Sequence, residues 1–134
     1  PPRSTLFPYT TLSDLEMVTF LTRKFGLGAE NIIARIAIAY SLQQGNKFSP
    51  LSIPDSGGKE YSKNVLFGSL YPIYAAMMCK YYNIKMSDKD LPRYFKIHLD
   101  DGLGLIMAEV KDNPNLIGFD YIFDKIKVGL EGIC

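Results

Sequence analysis

LTRKFGLGAENIIARIAIAYSL, residues 21–42, decides how this chain folds. Leu15, Val18, Leu21 and Phe25 recur at helical spacing up to the first glycine, and Ser13 with Glu16 three residues on forms the reciprocal pair of a capping box. A first helix is therefore expected to run to about Phe25. Gly26 and Gly28 break it, and from about Ala29 a second pattern begins. There Ile32, Ile33, Ile36, Ala37, Ala39 and Tyr40 leave almost no polar face, the signature of a helix covered on most sides, whether by its own domain or by another subunit.

Downstream, residues 43–58 are dense in Gln, Gly, Asn, Ser and Pro, which is loop chemistry. KEYSKNVLF, residues 59–67, mixes aromatic, β-branched and polar residues in the manner of a short strand or hairpin. A third helix opens at Ser69 or Leu70, tolerates Pro72 in its first turn and ends near Asn83. Ser87 with Asp90 reads as the N-cap of a fourth, which carries Pro92, Tyr94, Phe95, Leu99, Leu103, Ile106 and Val110. Residues 119–130 repeat the apolar pattern. The fold expected is mainly α, about five helices with a small β-hairpin, in one domain over residues 13–134. Residues 1–12, PPRSTLFPYTTL, are aperiodic, resemble translated sequencing-adaptor read-through and are read as a non-native or disordered segment.

The 134 residues are 47% hydrophobic and 22% charged, ordinary globular usage that argues against wholesale disorder and against a coiled-coil rod. No apolar run reaches the roughly 20 residues of a membrane span. Two cysteines without ligand or disulfide spacing fit a reducing cytoplasm. The net charge of +1 hides a segregation: residues 23–96 hold eleven basic and five acidic side chains, residues 97–134 three and seven. A basic half can offer a phosphate-binding surface while the acidic tail turns elsewhere.

Signals for catalysis are weak. His98 is the single histidine and lies within an apolar helical pattern, so a satisfied core residue is the expected role, and neither zinc nor another metal is expected. Cys79 reads as a small buried hydrophobe and Cys134 as a tail residue. Asp100 and Asp101 are adjacent, point about 100° apart on a helix, and read as a solvated face. Gly102 and Gly104 do not follow a strand and so do not form a dinucleotide loop; small residues within a helix instead permit close approach of a neighbour. An enzyme would need a pocket built from His98, Asp100 and tyrosines. No cofactor is expected.

The constellation with chemistry is Arg23-Lys24-Phe25-Gly26-Leu27-Gly28-Ala29-Glu30-Asn31, in which two cations end one helix and a glycine turn feeds the N–H groups of the next, a disposition that attracts phosphate. The same cations also complement the helix dipole without any ligand. Lys59 and Lys63 on the expected hairpin join Arg23 and Lys24 as candidate phosphate contacts. Arg35 fits a buried ion pair with a carboxylate as well as it fits a ligand contact.

Residues 21–42, through Gly26, Leu27, Asn31, Arg35, Ser41 and Leu42, resemble the pattern of the DndE family of DNA sulfur-modification (phosphorothioation) proteins. GKEYSKNVLFGSLYPIYAAMM (58–78) and FKIHLDDGLGLI (95–106) follow in family order. The chain departs from that pattern at Phe25 (usually Thr), Ala34 (usually Cys) and Ser69-Leu70 (usually Glu-Tyr). The resemblance implies a homotetrameric, non-catalytic subunit with a ribbon-helix-helix-like core. It implies binding to double-stranded DNA with a preference for nicked duplex, and partner subunits that carry the sulfur-transfer and ATP chemistry. Gly26, Asn31 and Arg35 join the DNA-contact candidates on that basis. The rival expectation is a scaffold subunit of the same complex with no DNA contact.

Overall fold

The computed structural model describes residues 14–49, 66–113, 115 and 118–133. Within them the chain forms α1 (Asp14–Phe25), α2 (Glu30–Gln43), a 3-10 turn (Gly68–Leu70), α3 (Tyr71–Tyr82), α4 (Leu91–Asp112) and α5 (Gly118–Ile133). The mainly helical expectation holds. No strand occurs among the described residues; most of the expected hairpin lies outside them, and its last residues, Leu66 and Phe67, lead directly into the 3-10 turn. Residues 1–12, the Ser13 cap and Cys134 lie outside them too.

The helix ends follow local chemistry. α1 stops in a Schellman motif: Gly26 sits at φ +65°, its N–H donates to the Arg23 carbonyl, and the Leu27 N–H reaches the Thr22 carbonyl at 3.0 Å. α3 stops at Asn83, which takes the left-handed conformation at φ 57° while the Ile84 N–H closes on Cys79. Pro72 and Pro92 sit in the first turns of α3 and α4, where the missing N–H costs nothing. Ser87 is not the cap of α4. The helix begins later, with Asp90 at the N-cap, because Asp88 turns its carboxylate back to accept the Asp90 N–H at 2.8 Å.

α4 is the axis, about 33 Å long at 1.5 Å per residue. α2 lies along it, α1 packs on both, α3 packs on α4, and α5 closes against α1. The α2–α4 crossing is close because Gly102 has no side chain: a Cβ there would stand 1.9 Å from the Ala37 carbonyl oxygen. Gly104, expected to act likewise, is exposed and meets nothing, since it lies on the opposite side of the helix from α2. Gly118 repeats the device where α5 meets α1, with a Cβ position 2.4 Å from the Phe25 carbonyl oxygen. Phe67, 1% exposed, fills the corner between α3 and α4, its ring 4.6 Å from that of Tyr74 and 4.8 Å from that of Phe95.

Two polar networks tie the layers. Ser41 of α2 and His98 of α4, both buried, form a relay with the half-buried Asp101 of α4 and Tyr82 of α3. Ser41 Oγ lies 2.6 Å from Asp101 Oδ2 and 2.7 Å from His98 Nδ1, and the Tyr82 hydroxyl lies 2.6 Å from His98 Nε2. A carboxylate only accepts, so Ser41 donates to Asp101 and its oxygen accepts Nδ1–H; Nε2 is then bare and accepts the Tyr82 O–H. The Phe48 N–H donates to the Tyr82 oxygen at 3.1 Å, which fastens the segment after α2 to α3. His98 is thus the satisfied core histidine expected, and burial pushes its imidazole below the ordinary pKa while Asp101 partly restores it. Asp101 is correspondingly not a solvated residue. Asp100 pairs with Lys96 one turn away at 3.2 Å.

The second network docks α5. Glu109 of α4 accepts from Lys125 at 2.8 Å, from Tyr121 at 2.8 Å and from Tyr40 at 3.0 Å, and Lys125 lies over the Tyr40 ring. Burial alone would raise the Glu109 carboxyl; donation from Lys125, Tyr121 and Tyr40 outweighs it and holds the group below its ordinary value.

Candidate nucleic-acid interface

Arg23 and Lys24 occupy the last turn of α1, Arg23 exposed and Lys24 half-buried. With Glu16, Thr19 and Phe20, one and two turns earlier on the same face, they line an open concavity of about 710 Å³. It therefore offers two cations, a hydroxyl and an aromatic ring, with a carboxylate at its far end. Phe20 was not singled out in the sequence, although its spacing of three and four residues from Arg23 and Lys24 places it beside them.

The turn after α1 is built as the sequence suggests, but its electrostatics differ. Ala29 is the N-cap of α2 and no side chain caps the first-turn N–H groups. That leaves a phosphate-compatible helix start. Glu30, however, places a carboxylate in the same turn, held by the Thr19 hydroxyl at 2.7 Å. Gly26 serves the backbone turn, and Asn31 is half-buried in the first turn of α2, outside the concavity. Lys59 and Lys63 lie outside the described residues.

Arg35 is not brought to this site. Its Nε donates to the Leu66 carbonyl at 2.6 Å, and it lines a separate groove between α2, α3 and α5 that shares no residue with the α1 concavity. Of the two roles the sequence left open for Arg35, an ion pair and a ligand contact, the described residues show neither; they give it this backbone contact.

The acidic residues do not turn away from the basic ones. Glu109, Asp112, Asp120 and Asp124 gather at the α4–α5 corner. Gly118, two residues before Asp120, abuts Phe25, the residue after Lys24, so the acidic corner adjoins the basic end of α1.

The family model described as DNA sulphur modification protein DndE matches residues 10–113, from before α1 through the end of α4. The chain belongs to the DndE family. Membership ties it to DNA sulfur modification. The match contains all three stretches of resemblance and stops before α5, so DndE similarity does not account for the helix that carries Tyr121 and Lys125. No curated protein and no solved structure matches the chain. No helix among the described residues is long and apolar enough to cross a membrane.

Proposed function

We propose that this DndE-family chain is a non-catalytic, DNA-binding subunit of the sulfur-modification machinery that favours nicked duplex DNA and acts in the cytoplasm. The observation that carries the reading is the basic pair at the end of α1. Arg23 and Lys24 open with the Thr19 hydroxyl and the Phe20 ring onto one solvent-facing concavity, beside a helix start that no side chain caps. Cations of this kind neutralise phosphates and release counterions, which gives affinity without sequence preference. Glu16, Glu30 and the acidic corner confine the favourable path to the face of α1 that carries the pair.

The non-catalytic part is supported by the fate of the one histidine. His98 is fully buried and both ring nitrogens are committed to Ser41 and Tyr82, so in this arrangement it has no access to a substrate. The ribbon-helix-helix-like core and the homotetramer that the family resemblance implies belong to the same proposal. α2 is compatible with it, since Ile32 is exposed and Ile36, Ala39 and Tyr40 are only half-covered.

Replacing Arg23 and Lys24 together with Ala tests the reading. Each phosphate contact contributes about 0.9 to the slope of log K against log salt, so losing two should flatten the slope by about 1.8. A folded double variant with unchanged affinity and slope would remove the assignment. A scaffold subunit with no DNA contact is the second reading, favoured by the carboxylates beside the basic pair. It predicts no salt-dependent binding in the parent protein.

A further inference from the structure

A second set of exposed cations gathers at the end of the molecule away from the α1 concavity. α2 and α4 run antiparallel, since Ala37 meets Gly102 and, four residues on, Ser41 meets His98. The start of α2, and with it the basic end of α1, therefore lies at the C-terminal end of α4, where the acidic corner also stands. The end of α2 lies at the opposite end of α4, beside the end of α3. There residues 80–96 carry five basic side chains, Lys80, Lys85, Lys89, Arg93 and Lys96, against two acidic ones, Asp88 and Asp90. Lys96 pairs with Asp100, whereas Lys80, Lys85, Lys89 and Arg93 are exposed. Lys47, also exposed, joins them from the segment after α2, its ammonium 5.4 Å from the centre of the Tyr81 ring.

Hydrogen bonds and stacked rings fasten the backbone beneath these cations. The Tyr81 hydroxyl donates to the Asn46 carbonyl, the Phe48 N–H donates to Tyr82, and the Tyr82 and Tyr94 rings stack at 3.9 Å, so the end of α3 is tied both to the segment after α2 and to the start of α4. The α3–α4 connection is itself tightly turned: the Asp88 N–H donates to the Lys85 carbonyl at 2.9 Å, the Leu91 N–H to the Asp88 carbonyl at 3.2 Å, and the Asp88 carboxylate accepts the Asp90 N–H. A ligand that meets this surface has only long side chains left to order, which lowers the entropic cost of binding. Lys80, in the last turn of α3, also complements that helix dipole. Lys85 and Lys89 lie outside any helix and have no such local role.

Exposed cations drawn from several chain segments suit an extended polyanion better than one small anion, and membership of a DNA sulfur-modification family selects the duplex backbone among polyanions. We propose that the end of α3, the α3–α4 connection and the start of α4 form a second DNA-backbone contact, with Lys47, Lys80, Lys85, Lys89 and Arg93 as its phosphate ligands. All five lie within the residues that the family model matches. The proposal rests on the reading of the chain as DNA-binding, but not on the α1 concavity, with which this surface has no residue in common.

The test titrates the full chain against one labelled duplex across a salt series, comparing the parent with the double variant Arg23→Ala/Lys24→Ala and the triple variant Lys80→Ala/Lys85→Ala/Lys89→Ala. Three lost phosphate contacts flatten the slope of log K against log salt by about 2.7 in the triple variant. Arg at the same three positions keeps the charge and restores the parental slope. A second readout needs no substitution: acetylation of the parent chain, followed by mass spectrometry, is slowed by the duplex at Lys80, Lys85 and Lys89 and not at the exposed Lys127 of α5. A triple variant with the parental slope, a slope that Arg fails to restore, or no protection of the three lysines in a chain that binds duplex overturns the proposal and leaves the α1 pair standing. A flattened slope in the triple variant beside an unchanged one in the double variant sustains the proposal and removes the α1 assignment. Absence of duplex binding by the parent overturns both, and salt-dependent binding of polyglutamate in that case would assign the surface to an acidic protein partner.

Discussion

Substituting Gly102 by Ala places a methyl group where the α2–α4 crossing leaves no room. The added Cβ stands 1.9 Å from the Ala37 carbonyl oxygen, 2.4 Å from its carbonyl carbon and 2.9 Å from its Cα. Ordinary contact begins at about 3.4 Å, so the two helices must separate by about 1.5 Å. The obstacle is backbone within a helix and cannot rotate aside. Overpacking of this kind costs about 3 kcal/mol or more, against which the better helix propensity of Ala returns about 1 kcal/mol. The net loss is about 2 kcal/mol, a fall in Tm of roughly 6–10 °C for a chain of this size. Gly104→Ala is the internal control: nothing lies within 4 Å of its Cβ position, so the same change two residues on should gain up to about 1 kcal/mol. Urea unfolding of the three proteins, followed by far-UV circular dichroism, reads both effects. A Gly102→Ala protein as stable as the parent would refute the close crossing and the packing argument built on it.

Three further expectations concern the polar groups. Burial lowers the His98 pKa, so the unfolded chain takes up a proton near pH 6.5 while the folded chain does so only at lower pH. Stability is therefore complete above 6.5 and declines as pH falls through the folded value, by at most about 1.4 kcal/mol per pH unit; unfolding free energies that stay level between pH 7.5 and 5.5 would contradict the relay. Glu109, held below its ordinary value, adds a second decline below about pH 4.5. Glu109→Gln should loosen α5 at a cost of about 1–2 kcal/mol, discounted for partial exposure and read as faster amide exchange in α5. Thr22 buries a hydroxyl without a partner among the described residues, so Thr22→Val should leave stability unchanged or raise it by about 1 kcal/mol in the same unfolding assay; a clear loss would mean that the hydroxyl is bonded.

Much of the fold was legible because its signals are local. Gly26, Asn83, Pro72 and Pro92 mark helix ends through backbone conformation alone, and the structure uses each of them there. The Ser87 cap failed locally as well, since Asp88 competes for the same turn and its carboxylate is the stronger acceptor. What sequence could not supply was the rotational phase of one helix against another. Gly102 and Gly104 look alike in sequence, yet only Gly102 faces α2. Ser41 and His98 are 57 residues apart, and Tyr40 and Lys125 are 85 apart, so neither network leaves a spacing to read. The candidate site shows the same division. The pairing of Arg23 with Lys24 and the Glu30 carboxylate in the adjoining turn were visible, whereas the Thr19 hydroxyl on Glu30 and the acidic corner beside Phe25 emerge only from the packing of α1 against α2 and α5.

Engagement of the DNA backbone by the basic end of α1 is tested by the affinity of the parent chain for nicked and intact duplexes of one sequence across a salt series. Binding is expected to weaken linearly in log–log form as salt rises and to be tighter on the nicked duplex at every concentration. Absence of binding at low salt, or an affinity indifferent to salt, would contradict it and leave the scaffold reading in its place.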